Sequence, residues 1–289
     1  ILSTLEALPH NAVFDPNSPN GFAAPIVESG NIVGITKLTT NQGEDDIIQG
    51  NVFVEVDILK GLKFRTRFGA NITNRFSQFH VPTYRFGPQE VNDQTDLEQI
   101  NSRTTETVWN NVLEYTNTFN EAHNLNLLAG VSSEKTIFRS TGGSNNDFPS
   151  NNLFALGAGI GDANSFGSNL TNTLQSAFGQ LNYDYKGKYL VQSSVRRDGS
   201  SKFGANNLYG TFASFSLGWR VTEEEFFDVP FISNLKPRFS WGTLGNQNIS
   251  DFLFLATVAS TNNSINYPIG SGESQVVNVG TISNSLASE

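Results

Sequence analysis

The chain alternates between apolar and polar residues over long stretches, as β-strands with two different faces do. Val52, Val54, Val56 and Ile58 share one face of a predicted strand, and Phe53, Glu55 and Asp57 share the other. In the next strand one face holds Leu62, Phe64, Thr66, Phe68, Ala70 and Ile72, and the other holds Lys63, Arg65, Arg67 and Asn71. Only Lys60-Gly61 separates the two strands, which predicts a tight hairpin.

The connections between predicted strands alternate in length. Short ones are expected at 60–61, about 119–122 and 186–188, and long ones at about 37–49, 75–104, 140–172 and 198–209. The connection at 222–234 is expected on the same rim as the short connections, although it is longer than they are. Helical periodicity is restricted to Ser3–Leu8 and Thr222–Phe227, each long enough for one turn, and the acids Glu223–Glu225 read as a solvated turn. One rim of tight turns and one of long loops is typical of transmembrane barrels.

Alternation alone does not say which solvent each face meets. The apolar face is the core of a soluble β-sandwich but meets lipid in a membrane barrel. Two features favour the barrel: predicted strands of about ten to twelve residues, where sandwich strands have about five or six, and aromatic residues at strand ends. These aromatics are Trp109, Tyr115, Tyr183, Tyr185, Tyr189, Trp219 and Trp241.

Composition narrows the choice of function. The 289 residues include 27 acidic and 18 basic side chains, a net charge of −9, which argues against nucleic-acid binding. The absence of cysteine excludes disulfides and thiol catalysis. The chain also lacks methionine, so we expect it to be processed or part of a longer protein. No apolar run reaches the roughly 18 residues of a transmembrane helix.

No catalytic, cofactor-binding or metal-binding residues are predicted. His10, His80 and His123 have no metal-ligand spacing, and the glycines of Gly157–Gly161 have no phosphate-binding context. The stretch from Asp162 begins like a calcium loop, but its twelfth position is not the required Glu. The sequence therefore offers nothing that favours an enzyme.

One long stretch resembles a known family. Tyr189 to Phe227 reads YLVQSSVRRDGSSKFGANNLYGTFASFSLGWRVTEEEFF. This resembles the barrel of SusC-like TonB-dependent receptors, which are outer-membrane nutrient importers of Bacteroidetes, although Ala213 replaces a proline of the family pattern. Further similar segments are Ile58–Asn71, Trp109–Gly130, Phe178–Leu190 and Ile232–Ile249.

The resemblance implies an all-β fold, an antiparallel transmembrane β-barrel of 22 strands. Residues 1–289 would form only part of this barrel, without the plug domain, the early strands and the C-terminal strand. It implies TonB-dependent import of a large nutrient, an oligosaccharide, across the bacterial outer membrane. The implied partners are outer-membrane lipid, a SusD-like lipoprotein and the TonB complex acting through the plug; no cofactor is implied. A passive porin-like channel and a soluble glycan-binding β-sandwich remain alternatives.

The resemblance also assigns roles to residues. Arg196, Arg197, Asp198, Gly199, Ser200 and Ser201 would form the structural motif of an extracellular loop that runs to Asn207. The first three would lie near the outer end of the strand and pin the loop through ion pairs and hydrogen bonds. Direct contact with ligand is the alternative for this motif, and loops 75–104 and 140–172 are better candidates for choosing the substrate. Lys63, Arg65 and Arg67 would face the lumen, where they would contact the plug or only water.

Overall fold

The chain folds mainly into long antiparallel strands, as a computed structural model shows. The structure describes residues 12–25, 30–88 and 90–251, together with four short strands beyond them. The strands are β1 (Thr40–Leu59), β2 (Leu62–Val81), β3 (Tyr84–Arg85), β4 (Val91–Asn92), β5 (Asp96–Phe119), β6 (His123–Asn146), β7 (Asn164–Tyr185), β8 (Tyr189–Ser200), β9 (Tyr209–Trp219), β10 (Arg238–Gly242), β11 (Thr257–Val258), β12 (Asn266–Pro268), β13 (Val276–Asn278) and β14 (Ile282–Ser283).

Eight strands form one sheet in the order β1-β2-β5-β6-β7-β8-β9-β10. The strands thus neighbour each other in chain order, apart from the small β3–β4 pair between β2 and β5. Within the described residues β1 and β10 lie at opposite ends of this order, so the sheet is not closed. Two further small pairs join β11 to β14 and β12 to β13.

The three tight turns predicted from the sequence are confirmed. β1 and β2 flank residues 60–61, β5 and β6 flank 120–122, and β7 and β8 flank 186–188. Asn120 and Glu121 have φ of 49° and 55°, and Lys186 and Gly187 have φ of 53° and 66°. Two successive left-handed residues are the geometry of a type I′ turn, whose twist matches that of the strands it joins.

The long connections are shorter than predicted, and the strands are about twice as long. β1, which begins at Thr40, covers the predicted loop 37–49 almost entirely. The other long connections shrink to 82–95, 147–163 and 201–208, so five strands reach 20–24 residues. These added parts are rich in Asn, Ser, Thr and Gly and lack apolar alternation. Backbone hydrogen bonds hold them in the ladder whatever the side chains, which explains why the sequence pattern missed them.

Helical structure is scarce among the described residues. Helix α1 (Ile32–Leu38) was not predicted; the Asn31 side chain caps it by accepting a hydrogen bond from the Gly34 N–H at 2.9 Å. The predicted turn at Thr222 is a 3₁₀ turn over Val221–Glu223, without a side-chain cap. The predicted turn at Ser3–Leu8 lies outside the described residues. No helix in the described part is long and apolar enough to cross a membrane.

The chain divides into two compact units. The first comprises Ile1–Gln49, Asn71–Thr105 and Ile137–Leu170, and the second comprises Gly50–Ala70, Glu106–Thr136 and Thr171–Glu289. The first unit contains a small buried core of Phe22, Ala23, Phe86, Leu97 and Phe148. The second unit is mostly open sheet, and it carries the residues considered below.

Candidate functional site on the polar face of the sheet

The register of β8 and β9 gives the second unit one polar and one apolar face. Directly paired residues point to the same side of a sheet, and alternate residues point to opposite sides. On one side the pairs are Gln192 with Ser216, Ser194 with Ser214, Arg196 with Phe212 and Asp198 with Gly210; on the other they are Val191 with Leu217, Ser193 with Phe215 and Val195 with Ala213. We call these the polar face and the apolar face.

The polar face continues across β7, β6 and β5 as a chain of hydrogen-bonded amides. Asn182 pairs with Gln192 in register, so it lies on the same face. Its amide nitrogen donates to Asn126 Oδ1 at 3.1 Å, and Asn126 Nδ2 donates to Glu114 Oε1 at 2.6 Å. Gln180 donates to Asn182 at 3.1 Å. Asn126 and Asn182 border a concave region of about 560 Å³, which is also lined by the hydrogen-bonding side chains of Thr116, Asn124, Gln192 and Ser216.

The six-residue motif predicted at Arg196–Ser201 lies largely in a strand, not in a loop. β8 continues to Ser200, and the connection to β9 is only 201–208. The ladder partners of Arg196 are Phe178 on β7 and Phe212 on β9. Arg196, Arg197 and Asp198 therefore lie near the end of the strand, as expected, and strand pairing on both sides extends β8 two residues further, through Gly199 and Ser200.

Arg196 and Asp198 are brought together on the polar face. Arg196 Nε lies 2.7 Å and 3.0 Å from the two carboxylate oxygens of Asp198, and Nη2 donates to Ser176 Oγ at 2.9 Å. The guanidinium also lies over the Phe178 ring, 5.6 Å from its centroid. One arginine thus joins β8 to β7 through a hydrogen bond and a cation–π contact, and forms an ion pair within β8.

Arg197 and Gly199 lie on the apolar face, apart from Arg196 and Asp198. The Arg197 guanidinium is 5.0 Å from the centroid of the Tyr209 ring. A Cβ atom at Gly199 would lie 2.4 Å from the same ring, so the position requires glycine as long as Tyr209 keeps this place. Alternate residues of the motif therefore lie on opposite faces of the sheet.

Ser200 and Ser201 close the end of β8. Ser200 is 4% exposed, and its Oγ accepts a hydrogen bond from the Lys202 N–H at 3.2 Å. Ser201 Oγ accepts from the Thr173 N–H at 2.8 Å, and the Ser201 N–H donates to the Thr173 carbonyl at 3.0 Å. These bonds fix the start of the short connection against β7.

Two of the three cations predicted on β2 form ion pairs with acids of β1. Lys63 Nζ lies 3.3 Å from Glu55 and 3.5 Å from Asp57, and Arg65 forms an ion pair with Glu55. Arg67 lies over the Phe53 ring at 5.9 Å. Strands β5, β6 and β7 separate this row from the Arg196 cluster in the sheet order, so the structure does not bring the two predicted groups together.

Aromatic rings form a continuous line where the tight turns lie. The ring centroids of His123 and Tyr185 are 4.8 Å apart. The rings of Tyr185 and Tyr189 are stacked with their centroids 6.4 Å apart, and those of Tyr189 and Trp219 are stacked at the same distance. The predicted aromatics at strand ends are thus confirmed for Tyr185, Tyr189 and Trp219. Trp241 likewise lies next to the end of β10, whereas Trp109 lies inside β5.

Sequence reasoning missed the residue that anchors this aromatic line. Glu224, predicted to lie in a solvated turn, is only 12% exposed at its side chain. It accepts hydrogen bonds from Trp219 Nε1 at 3.0 Å, from the Tyr189 hydroxyl, and from Lys188 Nζ at 3.1 Å. These bonds, the largest effect being that of Trp219, lower the pKa of Glu224 from 4.5 to about 2. Trp219, five residues before Glu224, is the feature of the sequence that could have indicated a hydrogen-bond partner for this acid.

The polar face offers mainly hydrogen-bonding groups. Within the described ranges no three His, Asp or Glu side chains are grouped so that they could hold a metal ion. Arg196 and Asp198 form an ion pair on this face, whereas Glu114 accepts its hydrogen bond from the neutral amide of Asn126.

Comparisons with known proteins identify relatives over most of the chain. No family model matches it. It is 34% identical over 217 residues to TonB-dependent receptor P39 of Formosa agariphila, a match that covers 71% of this chain and 20% of that protein. It is 46% identical over 101 residues to the TonB-dependent receptor SusC of Bacteroides thetaiotaomicron, covering 34% of this chain and 10% of that protein. The chain spans about a fifth of the length of the P39 receptor.

Solved structures share the fold. The structure of the RagAB peptide transporter matches 82% of this chain and 26% of the other chain, with a TM-score of 0.74 and 23% identity. The RagAB peptide importer in its open-open state matches 88% of this chain and 28% of the other, with a TM-score of 0.76 and 22% identity. The long antiparallel strands therefore have the arrangement found in those structures.

Proposed function

This chain belongs to the SusC-like TonB-dependent receptors, and we propose that it forms part of the wall of an outer-membrane importer that takes up a large nutrient by TonB-driven transport. The observation that carries the proposal is the division of β8 and β9 into a polar and an apolar face. In a membrane barrel the apolar face meets lipid and the polar face lines the lumen.

The apolar face suits contact with lipid. Val195, Phe215, Leu217 and Trp219 on this face are between 37% and 49% exposed. Such a continuous exposed apolar surface is unfavourable in water and favourable in a bilayer. The aromatic line at the tight turns suits the membrane–water interface, where amphipathic rings of Tyr and Trp accumulate. The turns would then lie on the periplasmic side and the longer connections on the extracellular side.

The polar face suits a hydrated passage for an uncharged solute. Its side chains are largely amides and hydroxyls, and Arg196 is neutralised by Asp198. A wall of this kind offers exchangeable hydrogen bonds without a strong field of one sign, which favours an oligosaccharide as cargo. An oligopeptide is the second candidate, because the neighbouring structures are described as a peptide transporter.

The partners proposed for the whole protein are a SusD-like surface lipoprotein and the TonB complex, which would act through a plug domain inside the barrel. Lys63, Arg65 and Arg67 would contact that plug from β2. The pairing of Lys63 and Arg65 with Glu55 and Asp57 supports a mixed-charge contact surface rather than a purely basic one.

Gene deletion tests the proposal. The complete gene is deleted from its host and growth is measured on defined oligosaccharides and peptides, with complementation by the wild-type gene. The expected result is loss of growth on one substrate class, and deletion of TonB should cause the same loss. Uptake that continues without TonB would favour a porin-like channel. A full-length protein that stays in aqueous solution without detergent would favour the soluble sandwich.

A further inference from the structure

Two stretches far apart in the sequence meet at one pocket of the second unit. The β8–β9 connection (201–208) and residues 245–247, which follow β10, border a cavity of about 310 Å³. Its lining includes Asp198, Phe203, Asn207, Phe212, Asn246 and Gln247. Because β10 pairs with β9, the segment after β10 is brought beside the connection that precedes β9.

Specific contacts hold the two stretches together. Lys202 Nζ donates to the Ile249 carbonyl at 3.1 Å and lies 3.9 Å from Asp251. Asn172 Nδ2 reaches both carboxylate oxygens of Asp251 at 3.4 and 3.5 Å. The Ser200 N–H donates to the Leu208 carbonyl at 2.9 Å, which closes the β8–β9 connection on itself. The Lys202 side chain therefore ties this connection to the chain that follows residues 245–247.

Aromatic rings supply the apolar part of the pocket. A Cβ atom at Gly245 would lie 2.2 Å from the Phe212 ring, so this ring packs directly against the backbone that follows β10. Phe203, from the connection, supplies a second ring. Aromatic faces bury much area with little loss of side-chain freedom, which suits them to a flat, partly apolar ligand.

The polar groups of the pocket are oriented and mostly uncharged. Asp198 is fixed by both of its contacts with Arg196, at 2.7 and 3.0 Å, which balance its charge. Asn246 Oδ1 accepts from the Asn248 N–H at 2.8 Å, which sets the direction of its amide. The Gln247 side chain has no hydrogen bond to any of the described residues, so its donors and acceptor are available to a ligand.

We propose that this pocket binds one sugar ring of an uncharged oligosaccharide, with the ring against Phe203 and Phe212 and its hydroxyls bonded to Gln247, Asn246 and Asp198. The volume lies at the lower end of the roughly 300–1,000 Å³ of small-molecule sites, which suits a single ring of a longer cargo. The inference rests on the proposed import function and adds a contact site for its cargo. It also gives the Arg196–Asp198 pair a role in recognition.

Binding to immobilised sugars tests this directly. The full-length receptor, purified in detergent, is applied to an array of neutral gluco-, manno- and xylo-oligosaccharides, with tetra-alanine as a peptide probe. Gln247→Ala should weaken sugar binding about fivefold to tenfold, and Phe203→Ala about tenfold. Phe203→Tyr should retain binding because it keeps the ring. Asn248→Ala is the matched control, since its side chain lies in the same loop but does not line the pocket.

The outcomes separate this inference from the proposed function. A receptor that binds none of the neutral sugars, binds only the peptide, or binds sugars equally well in all variants overturns the pocket assignment. Growth assays on the same variants report import independently. If growth still depends on TonB and is unchanged in Gln247→Ala and Phe203→Ala, the receptor imports its substrate without using this pocket. If growth does not depend on TonB, the import proposal itself is wrong.

Discussion

The carboxylate of Glu224 lies 3.0 Å from the indole nitrogen of Trp219, and its second oxygen lies 3.1 Å from the Lys188 ammonium. Arg220, next to Trp219, donates its backbone N–H to the Lys188 carbonyl at 2.8 Å. One acid therefore links the β7–β8 turn to the β9–β10 connection and orients a tryptophan of the aromatic line.

Replacing Glu224 should destabilise the folded receptor. Glu224→Gln keeps the shape but removes the charge that accepts three hydrogen bonds, so the unfolding temperature of the full-length protein in detergent should fall by a few degrees. Heat-dependent mobility in semi-native electrophoresis measures this. Glu223→Gln is the matched control, because Glu223 only pairs with Arg220 at the surface. Equal losses in both variants would show that Glu224 is not the anchor.

The contribution of Glu224 should depend on pH in a defined direction. Its pKa is lowered from 4.5 to about 2 in the folded protein, so the stabilisation is complete above 4.5 and is lost as the pH falls toward 2. The difference in unfolding temperature between wild type and Glu224→Gln should therefore stay constant above pH 4.5 and shrink below it. A difference that grows on acidification would contradict the assignment.

Arg196→Lys should loosen the end of β8. Lysine cannot contact both Asp198 oxygens and Ser176 together, so we expect a loss of roughly 1 kcal/mol in the free energy of unfolding, modest because the pair is partly exposed. Denaturant unfolding in detergent gives this value. Arg197→Lys is the comparison, since it keeps a cation over Tyr209 on the opposite face and should cost less.

Gly199→Ala should destabilise the receptor through Tyr209. The added Cβ would lie 2.4 Å from the ring, which must move. We expect a loss of about 1–3 kcal/mol, as is common for overpacking. The double variant Gly199→Ala/Tyr209→Ala should be less destabilised than the sum of its single changes. Strict additivity would show that ring contact is not the cause.

Trp109 and Thr66 provide a test of the apolar face. Trp109 Nε1 donates to Thr66 Oγ1 at 2.9 Å between β5 and β2. Trp109→Phe leaves the hydroxyl without this partner and should cost about 1–2 kcal/mol. Adding Thr66→Val should recover part of the loss, because both polar groups are then gone. Unfolding of the receptor in lipid vesicles measures the effect, and no recovery would argue that the bond is not the source of the loss.

The sequence predicted the strands whose two faces differ in polarity. Around Leu62–Ile72 apolar and polar residues alternate, so the strand and its two faces could be recognised from the sequence. The polar end of β6, near Ser140–Asn146, has no such alternation, and only pairing with its neighbours makes it a strand.

The candidate site was predicted in part for a related reason. The Arg196–Asp198 pair is two residues apart on one strand, so its proximity follows from alternation alone. Other contacts depend on the order in which β8, β9 and β10 pair, namely the contact of Glu224 with Lys188 and the shared pocket of Phe203 and Gln247. The pairing order belongs to the tertiary structure and cannot be read from the spacing of residues along the chain.

The length of the strands has a consequence for how the protein meets its surroundings. β5 has 24 residues, which extend over about 80 Å at roughly 3.4 Å each. In a membrane barrel with the usual tilt of about 40°, a strand of this length rises about 60 Å, twice the roughly 30 Å thickness of the hydrocarbon core. Under the proposed function about half of β5 would therefore extend into water, where backbone hydrogen bonds to β2 and β6 hold it in register.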